Sequence, residues 1–214
     1  MVKQDSYISL KMKVSLMLRK DFELAKNALD KSHVIAFPTE TVMGLGVYYN
    51  DFEAYNLLNK IKCRPEDKPY TLMLGDVNDI SKYAYIDERA AKVIRAFMPG
   101  EITILLRSKN VPDYVTHKTG IIGIRVPNLK ELQEFLCYIK TPLLVPSANK
   151  SGEKPALNSN EVKRIFLNEL GYIFEGTAKG GVPSTLVDLT NKEVKIYREG
   201  NIKLKDILDV IEKE

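Results

Sequence analysis

Residues 21–37 read DFELAKNALDKSHVIAF and change period halfway along. Phe22, Ala25, Ala28 and Leu29 recur at helical spacing over residues 21–31, whereas Val34-Ile35-Ala36-Phe37 is a short β-prone run that ends at Pro38. The spacing predicts a helix feeding a buried strand. The same alternation runs outward from this unit. Residues 52–62 place Ala54, Tyr55, Leu57, Leu58 and Ile61 on one face of a helix that Asp51 can cap and Pro65 must stop. Further helices are expected over 87–97, 129–138, 160–170 and 204–211. Strands are expected over 71–74, 102–106, 121–126, 142–145, 172–174, 185–188 and 193–197. Such alternation predicts an α/β architecture of the α+β type, with helices covering a sheet. Hairpin-like successions near 102–126 and 172–197 predict that the sheet is mixed.

The chain has 214 residues, no internal repeat and no linker rich in Gly, Ser or Pro, so a single domain over 1–214 is expected. Its motif-bearing core is 21–200, followed by a helix near 203–213. Two cysteines exclude a disulfide scaffold. No apolar run approaches the ~18 residues of a membrane span, and no signal-peptide pattern is present. A cytoplasmic protein without membrane partners is therefore expected. The net charge of +4 is mild and suits anionic ligands held in a local basic cleft.

Several chemistries are disfavoured at once. The chain has no Walker A, GxGxxG, CxxC or HExxH pattern, and His33 and His117 are its only histidines. What remains is a series of polar segments following strand candidates, where α/β sheets place ligands. Pro38-Thr39-Glu40-Thr41-Val42-Met43-Gly44-Leu45-Gly46 offers hydroxyls, a carboxylate and glycines, and reads equally as a cradle or as a solvated strand-to-helix loop. Lys62, Arg64 and Lys68 match the needs of a polyphosphate, or else complement a helix dipole while solvated. Ser147-Ala148-Asn149-Lys150-Ser151-Gly152 reads as a nucleotide loop or as an ordinary turn. Arg125, inside the apolar run of GIRVP (123–127), calls for an anionic partner, either a substrate carboxylate or a structural ion pair.

Taken in order, PTETVMGLG (38–46), KCRPEDKP (62–69), MPGEITILL (98–106), GIRVP (123–127), PSANKSG (146–152), GGVPSTLVDL (180–189) and YREG (197–200) resemble the YrdC/TsaC family of threonylcarbamoyl-AMP synthases, in its short single-domain form. The likeness implies a twisted mixed sheet flanked by helices, with an open basic concave cleft. It also implies the reaction of L-threonine, bicarbonate and ATP to give threonylcarbamoyl-AMP and pyrophosphate, the first step of threonylcarbamoyladenosine formation in tRNA. The family's KxR and SxN motifs fall on Lys62, Arg64, Ser147 and Asn149, which the resemblance makes the catalytic set. It places Thr39, Thr71, Arg125, Ser147 and Ser184 around threonine, and Lys62, Arg64, Asn149 and Arg198 around ATP. Mg²⁺ is expected with the ATP, without protein metal ligands, and machinery that transfers threonylcarbamoyl to tRNA is the expected partner. Met43 stands where the family usually has Tyr, and within Glu101-Ile102-Thr103 the family commonly has an apolar residue or Pro before its Leu-Thr. Two rival readings are an RNA-binding protein using the same basic surface, and a YciO-like or carbamoyl-adenylate-forming relative with another substrate.

Overall fold

The computed structural model describes residues 19–63 and 69–213. A helix over residues 19–29 (α1) leads into strand β1 (Ile35–Phe37), as the change of period requires. There follow β2 (Gly44–Tyr48), α2 (Phe52–Lys62), β3 (Thr71–Met73), a 3-10 turn (Val77–Asp79), α3 (Ile80–Tyr83), α4 (Glu88–Phe97), β4 (Ile102–Arg107) and α5 (Asp113–Thr116). The remainder is β5 (Ile121–Arg125), α6 (Lys130–Ile139), β6 (Leu143–Val145), α7 (Ser159–Phe166), β7 (Tyr172–Ile173), β8 (Thr185–Asp188), β9 (Lys195–Arg198) and α8 (Leu204–Glu212). Among the described residues no helix is long and apolar enough to cross a membrane.

The strands form one mixed sheet in the order β7-β1-β2-β6-β3-β5-β4-β8-β9. β4 pairs antiparallel with β5, and β8 with β9, as the hairpin-like spacing predicts. β7 does not join that second hairpin. It pairs parallel with β1 at the opposite edge, because Gly171 N–H and Phe174 N–H bond back to Val34 O and Ala36 O. β2 is an addition to the expected elements. Its glycines look like loop signals, but a Cβ on Gly46 would sit 2.7 Å from the Phe37 ring, so the strand needs glycine where that ring of the neighbouring β1 lies across it.

Side chains alternate across a strand, and here the alternation divides the molecule. Ala36, Leu72, Ile104, Ile124, Leu144 and Val187 point to one face, where α2, α4, α7 and α8 seal a large core. Ile35, Phe37, Met73, Leu143 and Val145 point to the other, where residues of α1 and α6 form a second, smaller core. That second cover stops short. Over β3, β5 and β4 and just before β8 the same face carries Thr71, Arg125, Thr103 and Ser184 and stays open as a cleft.

The helix boundaries follow local chemistry. Asp51 and Asp87 cap α2 and α4 by accepting from Ala54 N–H at 2.9 Å and Ala90 N–H at 2.8 Å. Loss of such a cap costs about 1 kcal/mol, so Asp87→Ala is expected to lower the melting temperature by about 2–4 °C in a calorimetric scan. α2 ends at Cys63, whose left-handed backbone (φ 50°) lets its N–H close onto Asn59 O and Lys60 O. α7 ends earlier than its apolar pattern suggests, because Leu167 turns to φ 46°.

Candidate active site

The open face of the sheet holds a cleft of about 180 Å³. Thr39, Thr71, Arg125, Ser147, Ser184 and Arg198, widely separated in sequence, all line it. Their convergence follows from strand parity. In β3, β5 and β4, Thr71, Arg125 and Thr103 share the uncovered face, and a Cβ on Gly123 would meet Thr103, Leu105 and the Thr71 hydroxyl on that side. Arg198 reaches the cleft by a different device. It would share the face of Ile196, which packs on the large core, but the ladder shifts register between Leu186 and Val187 and sets Arg198 opposite cleft-lining Leu186. A bulge thus re-aims the side chain.

Thr39 organises the first motif. Its hydroxyl donates to Val42 O at 2.7 Å, accepts from the N–H groups of Thr41 and Val42, and lies 2.9 Å from Thr41 Oγ1. Thr41 Oγ1 accepts from Arg125 Nη2 at 3.0 Å, and Glu40 Oε1 lies 2.8 Å from the same nitrogen. Glu40 is thereby withdrawn from solvent and is not the exposed loop carboxylate of the simpler reading. Arg125 has the ion pair that its buried position demands, and it lines the cleft as well. Opposite, Arg198 donates from Nε to Ser184 O at 2.9 Å and from Nη2 to Ser184 Oγ at 3.3 Å, while Ser184 Oγ lies 3.0 Å from Thr103 Oγ1. Arg198 is exposed along its length, yet its guanidinium is held below the usual arginine range, first by desolvation and then by the like charge of Arg125.

Lys62 and Asn149 stand behind the cleft wall and do not line it. Lys62 is 2% exposed, and its ammonium donates to Ser147 O at 2.6 Å, Asn149 O at 2.7 Å and Asn149 Oδ1 at 3.3 Å. This corrects one expectation: Lys62 is not a solvated cation on a helix end, since its ammonium donates to the 147–149 loop beside the cleft. Asn149 is committed likewise, accepting from Ser147 Oγ at 2.6 Å and donating to Lys150 O and Glu153 O. The loop returns the contact: Lys150 Nζ donates to Ile61 O at 2.6 Å and Ser151 N–H to Lys62 O at 2.8 Å. Helix end and loop form a reciprocal latch. Arg64, expected beside the phosphates, and Lys68 lie outside the described residues.

Thr41, Thr103 and Tyr70 line the cleft without having been assigned a site role from the motifs. The period-two rule applied to Ile102–Arg107 would have found Thr103, a hydroxyl on the face opposite Ile102, Ile104 and Leu106. Met43, in the position usually held by Tyr in the family, is fully buried, packs in the large core and closes part of the cleft floor.

Comparison with known proteins places these features in a family. A family model covering Sua5, YciO and YrdC proteins, described as "Telomere recombination", matches residues 27–200. A Pseudoalteromonas translucida protein named threonylcarbamoyl-AMP synthase is 32% identical over 177 residues, 79% of this chain and 94% of that one. The uncharacterized Escherichia coli protein YciO is 30% identical over 181 residues, 83% of this chain and 88% of that one. The crystal structure of P. abyssi Sua5 complexed with L-threonine superposes with a TM-score of 0.84 at 29% identity, over 89% of this chain and 57% of that longer one. The chain spans little more than half of that Sua5 protein. With 174 of its 214 residues matched by one model, the chain belongs to the Sua5/YciO/YrdC family.

Proposed function

We propose that the cleft joins L-threonine, bicarbonate and ATP into threonylcarbamoyl-AMP with release of pyrophosphate, the first step of threonylcarbamoyladenosine formation in tRNA. The observation that carries this reading is the convergence of two guanidiniums and a row of hydroxyls on the one uncovered face of the sheet. Support comes from relatives named for that synthesis and from the similar fold solved with L-threonine.

The threonine amine and bicarbonate give a carbamate with loss of water. A carbamate oxygen then attacks the α-phosphorus, the bond to the β-phosphate breaks, and pyrophosphate leaves. That makes the enzyme a nucleotidyltransferase. Such transfer depends on positioning and on neutralising charge more than on a protein base, which suits a cleft lined by hydroxyls and arginines. Thr39, Thr71, Arg125, Ser147 and Ser184 surround the amino acid, with Arg125 directed to its carboxylate. Arg198 and Arg64 serve the nucleotide, and Lys62 and Asn149 hold the loop that carries Ser147. Among the described residues no three His, Cys, Asp or Glu side chains gather as metal ligands. The Mg²⁺ proposed to accompany ATP would be held largely through phosphate oxygens and water and would supply charge neutralisation.

A second reading keeps the nucleotide chemistry and changes the amino-acid co-substrate, in line with the 30% identity to uncharacterized YciO. Pyrophosphate release by the purified protein separates the two. Release is expected only when threonine, bicarbonate and ATP are all present, together with the mass of the adenylate. Release that ignores threonine would overturn the first reading and favour the second.

A further inference from the structure

Glu40 lies behind the cleft wall and touches Arg125 through a single contact, Oε1 to Nη2 at 2.8 Å, with each side chain only 8% exposed. Asn128 N–H, at the start of the turn into α6, donates to the same Oε1 at 3.0 Å. Glu40 Oε2 and Arg125 Nε are both buried without a hydrogen-bond partner. A carboxylate that clamps an arginine uses both oxygens in a parallel fork. Here the fork is not made, so the carboxylate supplies a counter-charge more than a grip. The backbone around it is fixed, since Gly181 N–H donates to Thr41 O at 2.7 Å and a Cβ on Gly180 would meet Glu40 O at 2.9 Å.

We propose that Glu40 is a positioning residue whose charge cancels that of Arg125, so that this arginine serves the amino-acid carboxylate without adding to the cleft's hold on phosphates. The inference rests on the function proposed above. Arg198 is the second guanidinium of the cleft and already feels the like charge of Arg125. With Glu40 neutral, two uncompensated guanidiniums would face any polyanion that enters. Pyrophosphate, the product that must leave, would be retained.

Glu40→Gln keeps an oxygen for Asn128 N–H and removes the charge. By titration calorimetry at low salt the variant is expected to bind inorganic pyrophosphate about tenfold more tightly than the native protein, since one unpaired charge a few ångströms away is worth at least that much. The gap should narrow as salt rises, and pyrophosphate should inhibit turnover more strongly. A merely structural role would weaken binding instead. Equal or weaker affinity in the variant, or binding by neither protein, overturns the proposal. Should Glu40→Gln not fold, the double variant Glu40→Gln/Arg125→Met removes both charges at once, and buried pairs tolerate joint replacement. It is expected to bind pyrophosphate within about twofold of the native protein, because the pair is neutral before and after replacement. A tenfold loss would show that Arg125 was an active anion contact and would overturn the proposal. These readouts need no turnover. Tighter pyrophosphate binding by Glu40→Gln, in a protein that makes no adenylate from threonine, would uphold the charge role and sink the synthase reading alone.

Discussion

Replacing Lys62 with Met is expected to slow threonine-dependent pyrophosphate release about a hundredfold, the scale on which small misplacements of a reacting group act. The ammonium holds Ser147 O, Asn149 O and Asn149 Oδ1 around one point in a site that is almost dry. Without it all three lose a charged donor, Ser147 O keeping Asn149 N–H and Asn149 Oδ1 keeping the Ser147 hydroxyl, at about 1–3 kcal/mol for a buried acceptor left unsatisfied. The 147–149 loop can recover them only by moving toward water, and Ser147 moves with it out of the cleft wall. Thermal unfolding should fall in parallel, because the latch from Lys150 to Ile61 O and from Ser151 to Lys62 O loses its centre. Lys62→Arg is not expected to rescue activity, since a planar fork cannot direct three donors to acceptors clustered around one point. Native rates in a folded Lys62→Met protein would remove the latch from the mechanism.

Gly200→Ala is the second large effect. A Cβ there would stand 2.4 Å from Pro183 O, 2.9 Å from Thr185 N and 3.1 Å from Ser184 C, all backbone atoms with no side chain to swing aside. Gly200 N–H also donates to Thr185 Oγ1 at 2.9 Å, so the loop after β9 is fastened to the start of β8. Overpacking of this kind costs about 1–3 kcal/mol. The functional cost is expected to be larger than the stability cost, because the strands pushed apart carry Ser184 and Arg198. Their bonds, Nε to Ser184 O and Nη2 to Ser184 Oγ, span that gap. The expected result is a cooperative melt shifted down by several degrees, with the KM for ATP raised and the turnover reduced. Unchanged kinetics with a lowered melting temperature would mean that Arg198 does not serve the nucleotide.

Much of the fold is legible in the sequence, because the elements with strong periodicity lie where the pattern puts them. α2 begins and ends at the predicted residues, with Asp51 as its cap, and β8 runs over the predicted Thr185–Asp188. What the pattern misses, it misses for identifiable reasons. Gly44 and Gly46 read as loop residues because their role is to admit the Phe37 ring, a tertiary fact. β7 lies beside β1 and not beside β8, and partners so distant along the chain leave no local signal. At the site, the motifs single out Thr39, Thr71, Arg125, Ser147, Ser184 and Arg198, and the fold brings these six into one cleft. The direction of the Lys62 side chain could not be read in advance, since a lysine in a last helical turn looks the same solvated or buried. Arg198 is a similar case: simple alternation from Ile196 would turn it into the core, and only the register shift sends it the other way.

The division of the sheet into a sealed face and an open one has a consequence for how such a protein can change over generations. In β4, Thr103 lines the cleft while Ile102 and Ile104 fill the core. In β3, Thr71 and Leu72 divide between cleft and core in the same way. Adjacent letters of the chain therefore answer to different selective demands. A new substrate can be acquired by rewriting alternate positions while those between them keep the architecture intact, and a family built this way can diversify its chemistry without renegotiating its fold.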